Sequence, residues 1–283
     1  MQNYKNIIFG ASGLIGREVL KIVNTNQSII TSRKKNFLKK KILWKKLDLD
    51  KDKLNGFPKY VENIFFFASP YYNINNLKSK NIFSKEVKWI KKVLKYVKCK
   101  RFIYTSSSSV YSKNHKIGIQ KRKIEKLLIS SKIKHVQIWR PFNLVGYNES
   151  NLSDHFHNLL IKKILINNNN KISFRGSMKE MKGYSTVKKF GKLLYKKSRL
   201  NQSFVYNYRN EDMVYLSQIV KIFLKVLKKN NLQEFKFEFK NKIMNNKSNN
   251  IQVKKAKNIF SNEKSNRVLN NYFNEMIKNE KRM

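Results

Sequence analysis

Near its amino terminus the chain reads Gly10-Ala11-Ser12-Gly13-Leu14-Ile15-Gly16, a glycine-rich turn between two apolar segments. The run Asn6–Phe9 before it predicts a β-strand, and Leu14–Val23 after it predicts an amphipathic helix. Glycines at such a turn let backbone N–H groups and the positive helix end approach a pyrophosphate. A purely structural turn is the alternative. We therefore predict a dinucleotide site whose cofactor contacts are Gly10, Ser12, Gly13, Leu14, Ile15 and Gly16.

Segments of strand length and helix length alternate through the first half of the chain. The predicted strands are Asn6–Phe9, Ser28–Thr31, Asn63–Ala68, Arg101–Thr105 and His135–Trp139. The predicted helices between them are Leu14–Val23, Lys85–Val97 and Ile119–Ser130. Alternation of this kind implies right-handed crossovers, so it predicts an α/β fold of Rossmann type with a doubly wound parallel sheet.

After Pro141 the pattern becomes less regular. Helices are predicted at Leu152–Ile166, Val187–Lys196 and Leu216–Leu227, with a strand at Phe204–Tyr208. We expect residues 1–150 to form a dinucleotide-binding Rossmann core. Residues 151–283 are expected to combine late Rossmann elements with a small C-terminal substrate-binding lobe.

The charge of the chain bears on the class of partner. Lys and Arg number 62 against 17 Asp and Glu, which gives a formal net charge of +45. The lysines are spread along the whole chain together with many Asn and Ile, and the A/T-rich codons of these three residues explain the excess without a partner. We predict no specific nucleic-acid partner, although a basic RNA-associated protein remains an alternative.

Other sequence features exclude further classes of protein. The single cysteine, Cys99, excludes an internal disulfide framework. No apolar run approaches the roughly 18 residues of a membrane-spanning helix, and the first apolar stretch leads into the glycine turn, not to a cleavage site. His155 and His157 face different directions on a predicted helix, so no metal site is predicted. The sequence thus predicts a cytoplasmic protein.

The end of the second predicted strand bears on the cofactor. An NAD-binding protein of this fold carries an acidic residue there, which accepts hydrogen bonds from the ribose 2′-hydroxyl. Here the strand ends in Ile30-Thr31-Ser32-Arg33, which offers small polar groups and a guanidinium. This combination suits a 2′-phosphate, so NADP is predicted in preference to NAD. Alternatively, Arg33 belongs to a solvated basic run with Lys34 and Lys35.

Four further motifs carry a family resemblance. They are Leu47-Asp48-Leu49-Asp50, Phe66-Phe67-Ala68-Ser69, the serine-rich segment Arg101–Tyr111, and Ile138–Gly146. With the glycine turn, they resemble the extended short-chain dehydrogenase/reductase family of nucleotide-sugar epimerases, dehydratases and reductases. The resemblance implies that Asp48, followed by Leu49, contacts the adenine ring. It also implies that Ala68 lies beneath the cofactor and that Pro141 lies in the segment with nicotinamide contacts.

The family's chemistry requires a proton shuttle beside the nicotinamide. A Tyr is the acid/base, a Lys four residues later lowers its pKa and binds the ribose, and a Ser or Thr orients the substrate hydroxyl. The cation is needed because a phenol, with a pKa of about 10, is a poor base near neutrality. The resemblance implies that Ser107 is the hydroxyl residue and Lys121 the lysine, with Glu125 matching an acidic residue one helical turn on.

The sequence departs from the family at the acid/base itself. The residue four before Lys121 is Ile117, which cannot transfer a proton. Three interpretations follow: another group replaces the phenol, the protein binds nucleotide without turnover, or the shortened loop before Ile117 is misaligned. Tyr111 and His115 are the nearest replacements in sequence. For Tyr111 we favour a substrate contact, and for His115 simple exposure.

The residues expected on the substrate side of the site restrict which activities are predicted. Tyr111, Asn143 and Lys182 match family positions that contact substrate, Asn143 and Lys182 at the diphosphate. Ser108 and Ser109 stand where the 4,6-dehydratases carry an Asp-Glu pair, so dehydration is not expected. We predict an NAD(P)-dependent protein acting on a nucleotide-sugar, as a 4-keto reductase or an epimerase. The alternative is a catalytically inactive nucleotide-binding regulator, or the basic RNA-associated protein, on the same fold.

A homodimer is also a prediction of the resemblance. Relatives commonly pair through a four-helix interface, and the helices Lys85–Val97 and Ile119–Ser130 would supply it here.

Overall fold

The computed structural model describes residues 4–33, 42–70, 82–146, 156–162, 171–175, 177–232, 236–240 and 255–280. Both ends of the predicted helix Leu152–Ile166 lie outside these residues, as do Lys34, Lys35 and His155.

Five of the six strands that the structure describes in the first half overlap the predicted strands, and the third in the chain has no counterpart among the predictions. They are β1 (Asn6–Phe9), β2 (Ser28–Ser32), β3 (Trp44–Lys46), β4 (Tyr60–Phe66), β5 (Lys98–Thr105) and β6 (His135–Pro141). The later strands are β7 (Leu144–Val145), β8 (Lys171–Arg175), β9 (Met181–Gly183), β10 (Ser185–Thr186), β11 (Phe204–Asn210), β12 (Met213–Tyr215), β13 (Lys236–Lys240) and β14 (Lys257–Ser261).

The helices begin or end within a few residues of the predicted limits where a helix was predicted. They are α1 (Leu14–Leu20), α2 (Ile82–Tyr96), α3 (Lys116–Ile129), α4 (Phe156–Ile161), α5 (Val187–Ser198), α6 (Leu216–Lys229) and α7 (Ser265–Glu280). Helix α7 has no counterpart among the predictions.

A sheet of eight strands forms the centre of the fold, in the order β14-β11-β6-β5-β4-β1-β2-β3. All neighbours from β11 to β3 run parallel. The chain builds the sheet outward from β1 through β2 and β3, then returns to the other side of β1 and continues through β4, β5 and β6. This is the doubly wound arrangement, and it confirms the predicted α/β fold of Rossmann type.

The chain divides into two compact units. The first consists of Met1–Pro141, Val187–Tyr208 and Ile251–Ile259, and the second of Phe142–Thr186, Arg209–Asn250 and Phe260–Met283. In the first unit, β1 is buried along its whole length, as a central parallel strand covered on both faces must be. Helix α1 packs on α5, and α2 packs on α3.

The second unit has an apolar core of its own. Helices α6 and α7 pack together, and the rings of Phe223 and Phe273 lie 4.7 Å apart in their interface. Strand β9 pairs antiparallel with β12, and β7 pairs parallel with β10. The carboxylate of Asp212 accepts a 2.6 Å hydrogen bond from the backbone N–H of Ser265, the first residue of α7.

Candidate functional site

The glycine turn between β1 and α1 packs directly against the backbone that follows β4. Gly10 has a φ of +78°, and a Cβ at this position would lie 2.4 Å from the backbone nitrogen of Ala68. Only glycine tolerates both that dihedral angle and that approach. The turn is closed by a 3.1 Å bond from Gly13 N to Gly10 O, and the side chain of Arg17 donates to Ser12 O at 2.9 Å.

The other two glycines of the turn have different surroundings. A Cβ on Gly16 would lie 2.4 Å from the carbonyl oxygen of Gly10, so helix and turn touch there. A Cβ on Gly13 would lie 3.3 Å from the same oxygen and would meet no other described atom within 4 Å. The turn is therefore tight at Gly10 and Gly16, whereas a Cβ on Gly13 has one described neighbour within 4 Å, an oxygen of the turn itself. Glycine backbone with so few neighbours lets a pyrophosphate approach, so the residues present fit a dinucleotide.

The residues predicted to contact the adenosine half lie at the ends of β2 and β3. Ser32 is buried, and its hydroxyl accepts a 2.8 Å bond from the indole of Trp44, whereas Arg33 is exposed. Asp48 is half-buried, and its carboxylate accepts a 3.0 Å bond from the backbone of Asp50. Leu49 beside it is buried. Among the residues 30–33 no carboxylate is present, so Arg33 is the charged group at the end of β2.

A buried ion pair holds Lys121. Its Nζ donates to Glu86 Oε1 at 2.7 Å and to the carbonyl oxygen of Thr105, the last residue of β5, at 3.1 Å. The side chains of Lys121 and Glu86 are 7% and 1% exposed. The Tyr104 hydroxyl also donates to Glu86 Oε1, at 3.0 Å. Glu86 Oε2 is buried, and no hydrogen-bond partner for it lies in the described part of the chain.

Glu86 is missing from the sequence predictions, although a signal for it exists. On α2, Glu86 lies in the helical stripe that continues with Ile90, Val93 and Val97, all of them buried. A carboxylate within an apolar stripe indicates a buried partner of opposite charge. The partner, Lys121, lies on the next helix and 35 residues further along the chain.

A second buried ion pair lies one turn further along α3. Glu125 accepts bonds from Arg140 Nε at 2.9 Å and from the Ser106 hydroxyl at 2.6 Å. Burial lowers the pKa of the Arg140 guanidinium, but the hydrogen bond and charge of Glu125 outweigh burial and raise it. Arg140 also donates to the Tyr111 hydroxyl at 2.9 Å, and that hydroxyl donates to Asn207 at 2.7 Å.

Ser107, His115 and Ile117, the other positions discussed for the acid/base chemistry, lie after β5 and up to the first turn of α3. The Ser107 hydroxyl accepts a 3.1 Å bond from Ser109 N and caps the short helical turn Ser108–Tyr111. Ile117 is half-buried on the first turn of α3, one turn before Lys121. His115 caps α3, because its Nδ1 accepts from Gly118 N at 3.3 Å, and burial lowers the pKa of the imidazole.

Two predicted substrate residues belong to the second unit. Asn143 has a φ of +37°, and its amide donates to the carbonyl oxygen of Gly183 at 3.2 Å. Lys182 on β9 is paired with Glu180 at 3.0 Å. Pro141 ends β6 in the first unit and is half-buried.

Comparison with known proteins identifies the family. Residues 6–184 match the model of the NAD dependent epimerase/dehydratase family. The chain belongs to this family. No curated protein matches it.

Several solved structures share the fold at low sequence identity. The UDP-N-acetylglucosamine 4-epimerase from Methanobrevibacter ruminantium M1, in complex with UDP-N-acetylmuramic acid, is 16% identical with a TM-score of 0.68, over 99% of this chain and 100% of the other. The UDP-Glc/GlcNAc 4-epimerase from Campylobacter jejuni is 15% identical with a TM-score of 0.67, over 99% and 100%. RMD from Pseudomonas aeruginosa, complexed with NADPH, is 12% identical with a TM-score of 0.61, over 96% and 99%.

Two kinds of feature are absent from the described residues. None of their helices is long and apolar enough to cross a membrane. No three His, Cys, Asp or Glu side chains among them lie where they could hold a metal ion.

The two glycines yield a matched pair of variants. Gly16→Ala places its Cβ against backbone, so we expect it to lower the free energy of unfolding by about 1–3 kcal/mol. Gly13→Ala brings its Cβ to 3.3 Å from a single oxygen, that of Gly10, so we expect a change below about 1 kcal/mol but at least about a tenfold loss of NADPH affinity. Urea denaturation and fluorescence titration measure the two effects. A stable Gly13→Ala variant with the parent's affinity would contradict a pyrophosphate at this turn.

The pair of Lys121 and Glu86 leads to a stability prediction. Glu86→Gln leaves a buried ammonium without its counter-charge and should cost about 3–5 kcal/mol of unfolding free energy. The double variant Glu86→Leu with Lys121→Met removes both charges and should recover most of that loss. The control is Lys85→Gln, which should cost less than about 1 kcal/mol. Lys85 lies on the same helix as Glu86, and its ion pair with Asp50 is exposed. Equal losses in Glu86→Gln and Lys85→Gln would refute the buried-pair assignment.

Proposed function

We propose that this chain binds NADP or NAD at the glycine turn and acts on a nucleotide-sugar, as a 4-keto reductase or an epimerase. The observation that carries the proposal is the turn itself, which packs against Ala68 at Gly10, while the one described atom within 4 Å of a Cβ on Gly13 is Gly10 O. Structures similar in fold are described with UDP-sugars and with NAD or NADPH, which supports these ligand classes. When bound, the nicotinamide cofactor supplies the hydride chemistry.

Lys121 is proposed to bind the nicotinamide ribose. An ammonium group has three N–H donors, and two of those of Lys121 are directed to Glu86 and Thr105. As far as the described residues go, one donor is left for a ribose hydroxyl. The two protein acceptors fix the direction of Nζ before a ligand arrives, which lowers the entropic cost of binding.

Ser107 and Tyr111 are proposed to contact the sugar. Both follow β5, at the edge of the sheet where parallel α/β folds bind ligands. Arg140 and Asn207 hold the Tyr111 hydroxyl in one orientation, which suits recognition of a substrate oxygen. Asn143 and Lys182 are proposed as diphosphate contacts by their match to the family motif. Ser108 and Ser109 carry no acid or base for elimination, which argues against dehydration.

NADP is the proposed cofactor because Arg33 is an exposed cation at the end of β2, where NAD-binding proteins carry a carboxylate. A guanidinium forms charge-assisted hydrogen bonds with a phosphate dianion, whereas the 2′-hydroxyl of NAD offers only a neutral acceptor in the same place.

We expect NADPH to bind at least about tenfold more tightly than NADH, and Arg33→Ala to remove most of that difference. Fluorescence titration of both nucleotides measures it. Lys98→Ala, at the beginning of β5 and thus at the opposite edge of the sheet, is the control for lost positive charge. A preference for NADH, or an unchanged preference in Arg33→Ala, would overturn the assignment of NADP.

A second candidate function is nucleotide-sugar binding without turnover. Ile117 favours it, because an aliphatic side chain occupies the position from which the family transfers a proton. The pairing of Lys121 with Glu86 favours it as well, since a neutralised lysine lowers the pKa of a neighbouring acid less than a free one.

The variant Ile117→Tyr separates the two candidates. If only the phenol is missing, we expect kcat/KM to rise by about 100-fold or more with UDP-sugars, because a placed acid/base contributes at least that factor. Ile117→Phe supplies the same ring without the hydroxyl and should not raise it. Turnover is followed by NADPH consumption with 4-keto sugars and by NMR of epimer formation. Tight NADPH binding without turnover in both variants would establish the second candidate.

A further inference from the structure

A row of polar side chains crosses the sheet near the amino-terminal ends of its central strands. Ser28 on β2, Asn6 on β1, Asn63 on β4 and Arg101 on β5 occupy the same register level, each beside the next. Ser28, Asn6 and Arg101 are 0%, 7% and 7% exposed. The central strands of a parallel sheet are otherwise apolar, so a polar row at this depth needs a reason.

The row forms one continuous chain of hydrogen bonds. Arg101 Nε donates to Asn63 at 2.6 Å, Asn63 Nδ2 to Asn6 at 2.8 Å, and Asn6 Nδ2 to Ser28 at 3.0 Å. The Ser28 hydroxyl then donates to the carbonyl oxygen of Asn24 at 2.6 Å. In each of these bonds the donor is the group nearer to Arg101. The row of bonds therefore starts at the guanidinium and fixes its position.

A cavity of about 310 Å³ lies over this row. Its wall contains three cationic side chains and one anionic side chain, so the net charge of the wall is +2. They are Lys5, Arg101 and Arg199, and Glu62. Lys5 and Arg199 are exposed, so the cavity reaches the surface. Its volume lies at the lower end of the range of small-molecule sites.

Arg101 has donors to spare at this cavity. A guanidinium has five N–H groups, and those of Arg101 make three bonds among the described residues, to Asn63, to Asn201 at 2.7 Å and to Glu62 at 3.1 Å. Two N–H groups of a largely buried cation are thus left for a ligand. An oxyanion satisfies them and balances the excess of positive charge.

We propose that this cavity is an anion site for a small phosphorylated molecule. It lies at the amino-terminal ends of the strands, whereas the glycine turn lies at their carboxyl ends. Arg101 binds the phosphate oxygens directly, and Lys5 and Arg199 neutralise the remaining charge. A phosphate dianion matches the net charge of +2, and guanidinium groups recognise phosphate geometry.

The test is calorimetric titration of the full chain with inorganic phosphate in about 0.3 M KCl, where non-specific attraction to a basic surface is screened. Saturating NADPH is present, because the glycine turn also recognises phosphate. The variant Lys5→Gln with Arg199→Gln removes two exposed cations of the cavity wall and leaves the buried row intact. Lys192→Gln, an exposed lysine on α5 outside the cavity wall, is the matched control.

We expect saturable phosphate binding by the parent and by Lys192→Gln. The double variant should bind phosphate at least about tenfold more weakly than the parent. Arg101→Lys, which keeps the charge and loses the fork, should also bind at least about tenfold more weakly. Affinity of the double variant within twofold of the parent, or no saturable binding by the parent, would overturn the proposal. Saturable binding that is seen in a titration without NADPH and is lost when NADPH is saturating would place the phosphate at the glycine turn and overturn the proposal as well.

The outcome is independent of the proposed function. If NADPH itself does not bind, the dinucleotide proposal fails, while the comparison of the parent with the double variant still decides whether this cavity binds phosphate.

Discussion

Two charges of opposite sign are buried one turn apart on α3, and the arrangement of the site depends on how each is neutralised. Lys121 is paired with Glu86 from α2, and Glu125 with Arg140 from β6. An unpaired buried charge costs several kcal/mol, so neither helix nor strand can shift without exposing one of these ions to that penalty. The pairs therefore fix α2, α3 and β6 around the end of β5, where Ser106 joins the second pair through its hydroxyl.

The pair of Lys121 with Glu86 also bears on what the isoleucine at position 117 means for the chemistry. A phenol there would lie one turn from Lys121, and a cation at that distance stabilises a phenolate. The charge of Lys121 is already balanced by Glu86, so the field at position 117 is weaker than a lone lysine would produce. An apolar Ile117 and a buried carboxylate at Glu86 are thus consistent with each other, since Ile117 would otherwise adjoin an unbalanced cation.

Much of the first unit could be predicted from the sequence, because its strands and helices have strong periodicity and a glycine motif fixes their order. The contacts of the candidate site were harder to predict from the sequence. Tyr111 and Asn207 are hydrogen-bonded across 96 residues, a contact that no local pattern encodes. Helix α7 could have been found, because its buried apolar residues have helical spacing; they are Val268, Leu269, Tyr272, Phe273, Met276 and Ile277. Strands of two or three residues, such as β7 and β10, exist through their pairing and carry no periodicity of their own.

The two proposed phosphate sites, one at each end of the parallel strands, rest on different physics. At the carboxyl edge the glycine turn offers backbone N–H groups, whose dipoles act at short range and are little affected by salt. At the amino edge Arg101, Lys5 and Arg199 offer full charges, of which the two exposed ones are screened as ionic strength rises. In a chain of net charge +45, attraction of anions is general and confers no selectivity. Selectivity must then come from groups whose direction is fixed, namely the turn at Gly10 and the guanidinium that Asn63 and Asn6 hold in place.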